Sequence, residues 1–309
     1  MASVNKLFKI GLALLMFIYV IYLLLENFRK LTLYEINSMN KISRNILAKP
    51  DIDGVILGGS NSLFTLSAEK ISKMRSEKWL NLSIVKEGIT DKNYWNFIKD
   101  TLTLKQRESI KNIVYSTVSP LREHWAEDRY NTFIIQKKFI WKLPKSIKPS
   151  SSILVRWKNF FLKNEKKKYP LPNSFGDFDF TKYDCNLIKK QIQEFKPNEN
   201  KKKIYKRTSK QLKATIQLFP NSKIYYAIPF QYYKNIEASK RANLLNDILE
   251  DVIINFNKKN NTQVYFVPQL QFSNKTLLCD FEHHGNLVGQ SWRTDKLLQT
   301  MKSLNIKSK

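Results

Sequence analysis

The sequence predicts a three-layer α/β/α protein with a mainly parallel sheet, preceded by one membrane-spanning helix. Three observations carry this expectation. The residues from Ile10 to Leu25 hold no charge. Beyond them, short apolar runs ending in glycine, serine or proline alternate with helical stretches, the pattern of βαβ units. No second apolar run is long enough to cross a bilayer, so the rest of the chain is expected on one side of it.

The amino-terminal span from Leu7 to Leu25 reaches roughly 28 Å at ~1.5 Å per residue, close to the ~30 Å hydrocarbon core. Lys9 can carry its ammonium to the interface on its own stem. After Leu25 the chain reads Glu-Asn-Phe-Arg-Lys. It lacks the small-x-small site of a cleaved signal peptide, so residues 1–30 are expected to stay as an anchor. Lys6 and Lys9 precede the span, and Arg29, Lys30, Lys41 and Arg44 follow it, a balance that selects no orientation. Residues 31–50 read as a linker and residues 51–309 as the soluble domain.

Within that domain, Gly54-Val55-Ile56-Leu57 is a buried strand that ends in a tight turn at Gly58-Gly59. A helical pattern starts at Ser67. Trp79 to Ser83 is a second strand, followed by Gly88. Asp91 reads as the N-cap of a helix running to about Leu104. Ile113 to Ser116 is a third strand, stopped by Pro120. The runs Lys223–Ile228 and Gln263–Val267 are two more, each ending in proline. Glu237 to Asn257 and Trp292 to Leu304 carry helical periodicity. In such sheets ligands bind beyond the carboxyl ends of the strands. That points to Ser60, Gly88, Ser119 and the segment Asp280–His284.

Composition excludes several classes. A chain with 42% hydrophobic and 13% aromatic residues is neither disordered nor collagen-like. Two cysteines build no disulfide framework, and no Cys/His cluster has metal-ligand spacing, so neither a metal nor another cofactor is expected. The 53 basic residues against 26 acidic ones give a net charge of +27. The excess is localised, with 22 basic and 6 acidic residues between positions 137 and 213. This stretch belongs to an insert at about 121–215 that interrupts the strand–helix rhythm. It reads either as a solvated lysine-rich face or as a surface for anionic lipid or a charged glycan. No RNA-binding or helix-turn-helix signature occurs, and no nucleic-acid partner is expected.

Two of the three histidines stand together in Cys279-Asp280-Phe281-Glu282-His283-His284-Gly285-Asn286-Leu287-Val288-Gly289. An Asp three residues before a His can accept its Nδ1 proton and leave Nε2 free to act as a base. Such a base activates a serine hydroxyl, and Ser60 stands at the end of the first strand in Gly58-Gly59-Ser60-Asn61-Ser62. The glycines allow a sharp turn, whose backbone N–H groups could face a developing oxyanion.

With those residues in view, the sequence resembles the SGNH/GDSL hydrolase superfamily. Gly54 to Ser62 looks like its first block, with Ser60 at the nucleophile position. Asn81-Leu82-Ser83-Ile84 through Gly88 looks like the second, and Asp280-Phe281-Glu282-His283 matches the last. The resemblance covers roughly residues 50–120 and 220–305 and implies a flavodoxin-like sheet. With its anchor, the chain looks most like the membrane-tethered, DltD-like branch that serves cell-envelope polymer acylation. Members of that branch carry their soluble domain outside the cytoplasm and work with a multi-pass membrane acyltransferase. Three departures stand out. Gly59 replaces the usual acidic neighbour of the nucleophile. The third block lacks its oxyanion Asn, so either Asn61 or Ser119 substitutes as a donor or the oxyanion hole is weaker. The doubled histidine gives two readings of the last block: Asp-x-x-His selects His283, and His-x-Asn-x-x-Gly selects His284 with Asn286 and Gly289.

The expectation is a membrane-anchored serine acyltransferase or esterase acting on an envelope polysaccharide. Ser60 would be the nucleophile, His283 the base with His284 as the alternative, and Asp280 its orienting group. The N–H groups of Ser60 and Gly88 would hold the oxyanion, and Arg122, just after the third strand, would bind an anionic substrate group. His124 beside it reads as structural. The sequence leaves open whether Cys185 and Cys279 pair, which a location outside the cytoplasm would permit; a bridge would stiffen the loop beginning at Asp280. The rival expectation is a non-catalytic accessory protein of the same fold that binds a glycan or a membrane acyltransferase.

Overall fold

The computed structural model describes residues 33–49, 51–84, 92–117, 170–183, 185, 200–228, 236–268, 275–279 and 284–307, together with Gly11, Leu14 and Met16. The chain divides into two compact units, Met1–Ile36 with Glu127–Lys166, and Asn37–Ala126 with Lys167–Lys309. The second carries the sheet. Most of the apolar segment at positions 7–25 lies outside the described residues. Among the described residues no helix is long and apolar enough to cross a membrane.

Among the described residues five strands form one parallel sheet: β1 (Gly54–Gly58), β2 (Trp79–Asn81), β3 (Asn112–Ser116), β4 (Lys223–Ala227) and β5 (Val264–Val267). Their order is β2-β1-β3-β4-β5, and every pairing is parallel. This is the flavodoxin-like order that the sequence implied. The helices are α1 (Leu33–Leu47), α2 (Ser60–Thr65), α3 (Ala68–Arg75), α4 (Lys92–Thr101), α5 (Leu104–Ser109), α6 (Lys201–Leu218), α7 (Ile236–Asn260) and α8 (Leu287–Lys307). Helix α2 packs against β1 and α3 against β2, while α7 packs against α6 and β5. Helix α8 packs beside α2, α3 and β5.

Because every strand is covered on both faces, side chains of both parities are apolar. In register across the first face lie Ile56, Val114, Tyr225 and Tyr265. They join Ile71, Trp79, Leu297, Leu298 and Met301 in one buried cluster. On the opposite face Tyr115 packs between Trp95 of α4 and Tyr226, with ring centroids 6.0 and 5.6 Å away.

Three elements differ from the expectation, each for a local reason. The helix expected over residues 91–104 ends early and is followed by a second one, while its expected cap Asp91 lies outside the described residues. Helix α4 stops at Thr101, and Thr103 opens α5 through a reciprocal capping box with Gln106. The last helix starts five residues earlier than its periodicity suggested, because the Asn286 side-chain oxygen accepts the Gly289 N–H at 2.9 Å and caps it. The stretch read as a linker carries α1, whose Ile42 and Ile46 are buried and whose Asn45 Nδ2 donates to the Asn173 carbonyl at 2.8 Å.

Candidate active site

The carboxyl end of β1 is built for close approach. The Gly58 carbonyl accepts the Ile84 N–H at 3.1 Å, and its own N–H donates to the Tyr94 hydroxyl at 3.4 Å. A Cβ at Gly58 would collide with Ser62 Oγ and with the Ser116 carbonyl oxygen. The Ser62 hydroxyl donates to that same carbonyl, fastening the start of α2 to the end of β3. Gly59 is extended, and Ser60, half-buried, is the first residue of α2. The sharp turn expected at Gly58-Gly59-Ser60 is therefore present at the strand end.

Asn61, the next residue, is held from two sides. Its Nδ2 donates to Ser116 Oγ at 3.4 Å, and its carbonyl accepts from the Thr65 hydroxyl. Both of those oxygens are bound in turn by Arg293 of α8, which donates to Thr65 Oγ1, to Ser116 Oγ at 2.7 Å and to the Ile228 carbonyl at 2.8 Å. The Asn61 side chain thus faces inward, at 1% exposure, and its amide is engaged with β3. Arg293 is itself buried, and among the described residues no carboxylate pairs with it. Burial alone brings its pKa down to about 9. Sequence reasoning missed this residue, since nothing near position 293 marks it.

The histidine segment comes to the same place. Phe64, one turn after Ser60 on α2, lies flat on the His284 ring, with centroids 4.1 Å apart and planes at 6°. The other face of Phe64 stacks on Phe178 at 4.0 Å, with Phe180 and Tyr183 edge-on to it. His284 is buried at 4% exposure. Its carbonyl accepts the Cys279 N–H at 2.8 Å, so the chain between Cys279 and His284 is closed at its base. Cys279 is bonded to Cys185, with Cα atoms 4.5 Å apart. The structure thus brings the Ser60 helix, the His284 segment and the segment around Phe178 together. The motif residues Asn286 and Gly289 have packing roles: Asn286 caps α8, and a Cβ at Gly289 would meet the Leu277 carbonyl. Asp280, His283, Gly88, Ser119, Arg122 and His124 lie outside the described residues.

The segment with Phe178 belongs to the expected insert, yet it is tied to the core by Asp177. This buried carboxylate accepts from Ala68 N–H at 2.7 Å, Glu69 N–H at 2.9 Å, Ser67 Oγ at 2.9 Å and Asn81 Nδ2 at 3.3 Å. It therefore occupies the free N–H groups at the start of α3. Burial raises its pKa to about 6 in spite of those donors.

No known protein-family profile matches the chain, and no curated protein does. Solved structures do. One is a family two carbohydrate esterase from Clostridium thermocellum, at TM-score 0.45 and 8% identity, over 81% of this chain and 63% of that one. A second is an acetyl xylan esterase from the rumen bacterium Butyrivibrio proteoclasticus, at 0.42 and 10%, over 82% and 64%. A third is phospholipase A1 from Streptomyces albidoflavus, at 0.36 and 9%, over 80% and 99%. The chain spans less than two thirds of the two esterases. Likenesses of this size assign no residue role here. Among the described residues no group of His, Cys, Asp and Glu could hold a metal ion.

Proposed function

We propose that this protein is a membrane-anchored serine acyltransferase or esterase that adds or removes an acyl group on a cell-envelope polysaccharide. The observation that supports it best is the stack of His284 on Phe64, which sets the doubled-histidine segment against the helix that begins at Ser60. In this reading Ser60 Oγ attacks an ester carbonyl while His283 Nε2 takes its proton, and Asp280 holds the imidazole through Nδ1. The backbone N–H groups of Ser60 and Gly88 stabilise the tetrahedral oxyanion. Collapse expels the alcohol, which receives the proton from the imidazolium and leaves an acyl-serine. A sugar hydroxyl or water then attacks, giving transfer or hydrolysis. Arg122 would hold an anionic part of the substrate. The domain would act outside the cytoplasm, beside a multi-pass membrane acyltransferase.

The test is labelling of the full-length protein with a fluorophosphonate, read by intact mass. Wild type should gain one adduct and Ser60→Ala none. His283→Ala should lose labelling at an unchanged melting temperature. His284→Ala should lower that temperature, because it removes a ring packed on Phe64. Absence of labelling in wild type, beside a serine esterase that does label, would overturn the proposal in favour of a non-catalytic accessory protein.

A further inference from the structure

Helix α6 is the crossover between β3 and β4, and its sequence contains seven basic residues and no acidic one. At 3.6 residues per turn, Lys202, Lys206, Lys210 and Lys213 fall within about 80° of one another and span roughly 16 Å along the axis. All four are exposed, while Ile204, Thr208, Gln211, Leu212 and Thr215 on the other side are buried. Lys201 is paired with Asp251 of α7 at 2.6 Å. Among the described residues no carboxylate lies within ion-pair distance of Lys202, Lys206, Lys210 or Lys213. Like charges at i and i+4 oppose helix formation. The stripe therefore works against the element that carries it, and an anionic partner would relieve that repulsion.

The chemistry of the stripe narrows the partner. Its charges are all ammonium groups, compact point charges on flexible stems, without the planar fork that reads a carboxylate or phosphate in two-point fashion. Tyr205, the one aromatic of α6, lies outside the stripe and is half-buried, so a sugar ring or base finds no stacking platform on it. The large exposed apolar side chains of the described residues all lie elsewhere. What fits is an extended anionic surface contacted at the level of its charges, without insertion. The uncharged run from Ile10 to Leu25 gives the chain its own affinity for a bilayer.

We propose that the exposed lysine face of α6 docks on an anionic phospholipid surface. This does not depend on Ser60 chemistry. The full-length protein is incubated with phosphatidylcholine vesicles, with and without phosphatidylglycerol, and the ratio of the two binding constants is measured. The ratio cancels whatever the apolar amino terminus contributes to both. Wild type should bind the phosphatidylglycerol vesicles far more tightly, and the gain should collapse at high salt. Changing Lys202, Lys206, Lys210 and Lys213 together to Gln should cut that gain by about 10³-fold, for four charges held near the anionic surface. The four positions are exposed, and an unchanged thermal melt would show that the fold survives. An equal gain in wild type and variant, or no gain in wild type, would overturn the proposal. So would an acidic polysaccharide that binds wild type but not the variant while the vesicles show no gain, since the stripe would then serve a glycan.

Discussion

Arg293 illustrates how a single side chain can organise a site from a distance. Its guanidinium joins α8 to α2 through Thr65, to β3 through Ser116 and to β4 through the Ile228 carbonyl. Thr65 and Ser116 in turn grip Asn61, the residue after Ser60. Replacing Arg293 with Met keeps the bulk but leaves those oxygens without their donor in a dry environment. Hydrogen bonds to a charged group are each worth ~1.5–3 kcal/mol, and they are not additive. Arg293→Met should lower unfolding free energy by about 3 kcal/mol in urea titrations, and it should slow labelling of Ser60 beyond what that loss explains. The sequence could not reveal this, because its partners lie 228, 177 and 65 positions away. Ser60 and the histidine pair stood out as candidates for the opposite reason, since the glycines and the Asp-x-x-His spacing that mark them are local.

Among the elements, α3 shows how the expected insert is stitched to the core. Ser67 caps it by accepting from Lys70 N–H at 3.0 Å, and Asp177, more than a hundred residues on, accepts its next free N–H groups. With a folded-state pKa raised from 3.8 to about 6, Asp177 binds its proton more tightly in the native protein than in the unfolded chain. Its contribution to stability is then complete below pH 3.8 and falls as pH rises towards 6, by up to ~3 kcal/mol. The urea midpoint should decline across that window, and Asp177→Asn should flatten the decline. The strands were readable as short apolar runs because each is covered on both faces. Helix α6 was not, because it lies within the lysine-rich stretch taken as an insert, and Thr208, Gln211 and Thr215 stand among the residues it buries. Helix α2 escaped notice because its six residues, Ser-Asn-Ser-Leu-Phe-Thr, are too few to show a period.

On the scale of the whole molecule, the bond between Cys185 and Cys279 closes a loop with a sequence separation of 94 residues. A link across so long a loop restricts the unfolded chain strongly, and its removal typically costs 2–5 kcal/mol. The Cys185→Ser, Cys279→Ser variant should lose stability in that range, read from urea unfolding without reductant. It should also lose part of its serine labelling, because Cys279 stands directly before Asp280. Wild type in excess reductant should behave alike.

That bond also decides what kind of covalent object the protein is. In a reducing compartment the gene product is a linear chain. In an oxidising one it is a lariat whose closed ring runs through α6, β4, α7 and β5, with two tails leaving the same knot. One tail holds β1 and Ser60, and the other starts at Asp280. A protease that cuts the ring once leaves both tails joined, so the two halves of the candidate site stay tethered after a nick that would separate them in the linear form.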